Sequence, residues 1–180
     1  MQMLNPCISL PVVALLIAGC ATTTTTGAPD PHAVTVETSV ETGDVTCIAT
    51  TPQANRQSAA TTNAVRSQAG LPPLRASMLL AKAASRHACD MAKRGRMTHK
   101  GSRTTGPSQR VKALGYSPRI SAENIAAGPF DRQRVLREWR GSKGHLDNIM
   151  LPQVNEFGIG HAVGADGKTQ YWAAVYAAEQ

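Results

Sequence analysis

The stretch FGIGHAVGADGKTQYWAAVYA, residues 157–177, reads as two strands about a tight turn. Residues 157–163 and 171–177 are short apolar runs with aromatic and β-branched members, and Asp166-Gly167 between them is a strong turn signal. The pair is therefore expected to form an antiparallel hairpin. A third strand is expected over 123–126. Upstream of the hairpin the apolar period changes to three and four. Thr51-Pro52 opens a helix that runs to Ala69 with Gly70 as its stop, because proline suits a first helical position and glycine a C-terminal one. A second helix over 77–94 places Leu80, Ala84, His87 and Met91 on one stripe, ended by Gly95. A short third helix is read over 108–114. A fourth starts at Asp131 as N-cap and turns Val135, Leu136 and Trp139 inward, until Gly141 and Gly144 interrupt it. Helices leading into a strand hairpin argue for an α+β layer arrangement.

The chain has 180 residues, enough for one domain with a single buried core. Residues 8–18 are apolar and too short to span a bilayer as a helix, so 1–19 reads as an export signal. The signal ends in Leu16-Ile17-Ala18-Gly19-Cys20, which resembles the lipobox at which bacterial lipoproteins are cut and acylated on cysteine. That resemblance implies a membrane anchor through acylated Cys20, in an outer membrane if the source is Gram-negative; the alternative is ordinary secretion. Residues 20–50 are rich in threonine and lack a helical period, which suggests a flexible tether before a domain at 51–180. Within the tether, Val34, Val36 and Val40 are read as a weak strand at most. If Cys7 leaves with the leader and Cys20 carries lipid, Cys47 and Cys89 remain. An even pair outside the cytoplasm suggests a disulfide, the other reading being one buried and one exposed thiol.

Charge is distributed unevenly. All 19 Lys and Arg follow residue 53, with eight of the 12 acids, so this part carries a net +11. Such an excess concentrates anionic partners, which outside the cytoplasm are anionic lipid or envelope polymer. Nucleic acid is not expected, because no basic-aromatic interleaving is present. A monomer is expected.

Six motifs then stand in order: Gly70-Leu71-Pro72-Pro73-Leu74, His87 to Met91, Thr98-His99-Lys100-Gly101-Ser102, Ala122-Glu123-Asn124-Ile125-Ala126, Trp139 followed by Ser142-Lys143-Gly144-His145, and Gly158-Ile159-Gly160. In that order and spacing, residues 53–180 resemble the compact bacterial branch of the SCP-like, or CAP, superfamily of secreted proteins. The resemblance implies an α-β-α sandwich about a small antiparallel sheet, with a surface cleft lined by His99, Glu123 and His145. Two imidazoles and a carboxylate are suitable ligands for a divalent metal such as zinc, with an open position for water or substrate. Plant and animal members carry a second glutamate where this chain has Ser142. Glu138, one helical turn earlier, is the candidate substitute, although it is also spaced to pair with Arg134. Glu123 has a structural reading as well, as an acceptor of backbone N–H groups that holds the adjoining loop shut. His99 and His145 fall in glycine-rich loops, His87 reads as a core histidine, and His161 carries no role. No Gly-x-Ser-x-Gly, His-Glu-x-x-His or catalytic-cysteine signature is present, and Ser142 and Ser102 read as turn residues. The resemblance thus favours a non-catalytic binding module. A metal-assisted hydrolase of envelope peptide or protein, and a structural module with an inactive cleft, are the alternatives.

Overall fold

The computed structural model describes residues 43–180 and the two-residue strand Val36–Glu37. The expected signal, Cys20 and the tether up to residue 42, apart from Val36–Glu37, lie outside the described residues. The elements follow in the order β1 (Val36–Glu37), β2 (Thr46–Ile48), α1 (Pro52–Gln68), β3 (Arg75–Ala76), α2 (Met78–Arg94), β4 (Arg96–Met97), α3 (Pro107–Lys112), β5 (Pro118–Gly128), α4 (Arg132–Gly141), α5 (Lys143–Ile149), β6 (Glu156–Val163) and β7 (Gln170–Glu179). The main sheet runs β2-β6-β7-β5, all antiparallel, and the short β3 adds to β6 in parallel. β1 pairs with β4 away from it. The expected hairpin is β6–β7, and its turn at Gly167 takes the positive φ of 67° that suits glycine. No helix among the described residues is long and apolar enough to cross a membrane.

Strand alternation on β7 divides the core into two halves. Tyr171, Ala173, Val175 and Ala177 face Leu80, Ala84, Ala88 and Met91 of α2 and Val111 of α3. Trp172, Ala174 and Tyr176 face Ala59 of α1, Val135, Leu136 and Trp139 of α4, and Ile149 of α5. A sheet covered on both faces by helices is the α-β-α sandwich, and period-two alternation is its cause. On β6 the α2-facing positions include Gly158 and Gly160. A Cβ on either would lie 2.0 or 2.1 Å from the backbone nitrogen of Ala81 or Ser85, so the glycines let α2 lie directly on the sheet.

Local signals hold where capping chemistry sets them. Thr51 accepts from the Ala54 N–H, Ser77 from Leu80 and Asp131 from Arg134, and Gly95 closes α2 with φ 57°. Three expectations change. Thr46–Ile48 pairs with β6 as an edge strand, so part of the expected tether belongs to the folded domain. β5 is longer than 123–126, because its ladder with β7 extends both ways. Gly144 does not interrupt a helix: α4 ends at Gly141, Ser142 is extended, and α5 restarts at once with Gly144 inside it.

Arg66 fixes the end of α5 from the opposite helix. Its fully buried guanidinium donates to the carbonyls of Pro72, Ile149, Leu151 and Val154. One side chain thereby satisfies the orphan carbonyls of a helix end and the segment after it.

Candidate functional site

Glu123 sits mid-strand on β5, opposite Val175, with its side chain only 1% exposed. Its Oε1 accepts from His99 Nδ1 at 2.9 Å and lies 3.6 Å from His87 Nε2. Its Oε2 accepts from Arg110 Nη2 of α3 at 2.5 Å. Arg110 reaches further, donating through Nη1 to the His99 carbonyl and to Thr104 Oγ1. The segment 99–104 is thus tied to α3 and β5 by one guanidinium. Glu123 does hold its loop, but through side chains and not through the backbone N–H groups anticipated from sequence.

Burial by itself pushes the Glu123 carboxyl up, yet the hydrogen bond from His99, followed by His87 and Arg110, holds it below the usual carboxylate range. His87 is the converse case. Burial depresses its imidazole to about 4, with Glu123 opposing and Arg110 reinforcing the shift. It is therefore neutral near pH 7, and its Nε2–H donates to the Thr98 carbonyl at 2.9 Å. His87 is a core histidine as read, and it is also a wall of the Glu123 site, which its place on an apolar stripe does not reveal.

His145 projects from α5, not from a glycine-rich loop, and its ring lies 6.4 Å from that of Trp139. Two asparagines dock its helix on β5. Asn124 donates to the His145 carbonyl, and Asn148 donates to the Glu123 carbonyl and to Asn124 Oδ1. Asn124, Asn148 and Arg110 are site residues to which the sequence assigns no role, and His87 reads there only as a core residue. Only Asn124 lay inside a quoted motif beside an assigned residue.

His99, Glu123, Ser142 and His145 line one cleft of about 560 Å³, with Met97 and Ile125 as apolar wall and Lys143 and Asn148 at its polar edge. Glu138 is not among them. It is 53% exposed and paired with Arg134 at 3.5 Å, the i,i+4 partner weighed for it. Of the candidate metal ligands, Glu123 does not fit as a direct ligand. Among the described residues no three His, Cys, Asp or Glu side chains are arranged to hold an ion. The physical reason is that both Glu123 oxygens are already committed, one to a guanidinium whose charge repels a dication. What the cleft does present is an oriented imidazole. Its Nδ1 donates to Glu123, and the His99 side chain as a whole is 30% exposed.

Cys47 and Cys89 are joined by a disulfide that ties β2 to α2. Cys20 lies outside the described residues.

Comparison with known proteins matches residues 59–176 to CAP, the Cysteine-rich secretory protein family. The uncharacterized protein YkwD of Bacillus subtilis is 33% identical over 100 residues, which is 56% of this chain and 39% of that protein. The match therefore spans about two fifths of that relative's length. An outer surface protein of Borrelia burgdorferi superposes with a TM-score of 0.64 over 73% of this chain and 96% of its own, at 19% identity. An extracellular protein containing an SCP domain from Bacillus anthracis does so at 0.61 over 72% and 44%, at 24% identity. Both likenesses are of fold.

Proposed function

Because this chain belongs to the cysteine-rich secretory protein (CAP) family, we propose that it is an exported cell-envelope binding module whose His99–Glu123–His145 cleft takes a small, lipid-like or envelope-derived ligand. One observation carries the choice of binding over metal chemistry: the Glu123 carboxylate is sequestered between His99 and Arg110. A buried ion pair of this kind holds shape and orients its neighbour, and it leaves no free carboxylate to ligate an ion. Ligand recognition then falls to the His99 edge, the Asn148 and Ser142 side and the apolar wall of Met97 and Ile125. Export draws support from the leader-like residues 1–19 and from two fold neighbours described as extracellular and outer-surface proteins. Anchoring through acylated Cys20 is part of the proposal. The wild-type chain should stay in the membrane fraction in high salt, and Cys20→Ser should move it to the soluble fraction.

The ligand reading is tested by native mass spectrometry of the full chain taken from its own membrane. Copurified mass is expected on the wild type and absent from a His99→Ala, His145→Ala double variant that still unfolds cooperatively. Bare protein in both cases would leave a structural module with an inactive cleft. The Glu123–His99 pair is the one feature that favours a hydrolase, since a carboxylate orienting an imidazole is general-base geometry. A screen of peptides and wall fragments that stays blank with and without zinc, calcium and magnesium retires that alternative.

A further inference from the structure

A second concavity, of about 930 Å³, lies on the outer face of α2, with no lining residue in common with the His99 cleft. Lys82, Arg86 and Lys93 line it from one helical stripe at spacings of four and seven, and Arg103 faces them from the following loop. From Lys82 to Lys93 the row extends about 16 Å at 1.5 Å per residue. All four cations are exposed, and none is in an ion pair among the described residues. The one acid in the groove, Asp90, is already engaged by the Arg94 guanidinium and the Ser102 N–H. Between the cations the floor is apolar: Ile48, Ala49, the Cys47–Cys89 bridge and Met78, which at 42% is the exposed large hydrophobic of the described residues.

The physics of such a groove is specific. Like charges over low-dielectric walls focus the field outward and attract a counter-charge strongly. A single small anion would meet only one or two of these cations. Their linear spread fits an occupant whose negative charge repeats along its length. We infer that this groove on α2 is a docking site for a linear phosphate-bearing polymer, read by Lys82, Arg86, Lys93 and Arg103. It is independent of the cleft reading, because no residue is shared between the two.

The test uses the full chain and long-chain polyphosphate, with binding measured by calorimetry between 50 and 200 mM salt. Four neutralised charges give a slope of about −3 in log K against log salt, or about a fiftyfold loss across that range. Lys82→Gln with Arg86→Gln removes two of the four, so the loss should fall to about sevenfold and affinity at 50 mM should drop at least tenfold. Arg137→Gln with Arg140→Gln removes the same net charge from exposed positions on α4, and should leave binding within twofold. All four positions are solvent-facing, and a matching thermal midpoint checks that each variant folds. Equal losses in the two double variants would make the attraction diffuse and overturn the proposal. So would absence of polyphosphate binding, or binding of phosphatidylglycerol vesicles in place of polyphosphate.

Discussion

At the scale of the residue, the Glu123 cluster shows how little of a buried polar site is written locally. His99, Glu123 and His145 were legible only through the family resemblance, which assigns a cleft to the positions they occupy. Arg110 and His87 were not, because a basic residue on a polar helix and a histidine on an apolar stripe have ordinary explanations until folding brings them to one carboxylate. His87 gives the cluster a pH signature. Its imidazole titrates near 4 when folded and near 6.5 when unfolded, so between these values the unfolded chain binds more protons. Stability from this group is complete above about pH 6.5, falls as the pH is lowered, and is gone by about pH 4. The shift corresponds to about 3 kcal/mol. Glu123, held low in the fold, adds a loss only below the ordinary glutamate range, and His161, depressed by burial and Arg132, acts in the same direction as His87. Urea unfolding of wild type and His87→Gln at pH 7.5 and 4.5 separates these contributions. The variant should lose about 2 kcal/mol less on acidification, and parallel losses would mean that His87 is not the group responsible.

At the scale of the element, the strands and long helices were readable, and the break between α4 and α5 was not. Gly141 and Gly144 both signal interruption in sequence, but only one reversal of backbone is needed, and Gly144 is then held in α5 by tertiary contacts that propensity does not register. The asparagine pair that docks α5 on β5 supplies part of that hold. The Gly158-Ile159-Gly160 motif was visible from the start, but its cause was not. Each glycine faces the backbone of α2, where a methyl group meets Ala81 or Ser85 at about 2 Å. Side chains could rotate away, but a helix backbone must move as a unit. Gly160→Ala should therefore cost about 3 kcal/mol or more in urea unfolding, the upper range for overpacking. Gly141→Ala is the control. Nothing lies within 4 Å of its added Cβ and its φ is not positive, so it should be neutral or stabilise α4 by up to about 1 kcal/mol. If the two substitutions behave alike, close approach of α2 to β6 does not explain the motif.

At the scale of the whole molecule, the two half-cores on either face of β7 hold the sandwich, and the outer edge of β6 is the exposed flank that β2 covers. β2 has only three residues, two of them exposed, so its own packing contributes little. Its covalent tie supplies the rest: Cys47 in β2 is bonded to Cys89 in α2, closing a loop across 42 residues that contains all of α1 and β3. Constraining a loop of that length in the unfolded chain stabilises the fold by about 4 kcal/mol in the chain-entropy account. Counting cysteines suggests the pairing on the expectation that Cys7 and Cys20 are set aside, whereas the sheet edge it secures could not be read from a threonine-rich stretch. Reduction should then have two separable effects. The urea midpoint of the reduced chain should fall by an amount equivalent to about 4 kcal/mol, matched by a Cys47→Ala, Cys89→Ala double variant. Hydrogen exchange should show amides of the β2–β6 pairing losing protection first, while those of β6–β7 continue to open only with global unfolding. A reduced protein whose midpoint and β2 protection are both unchanged would mean that the edge strand is held by packing alone.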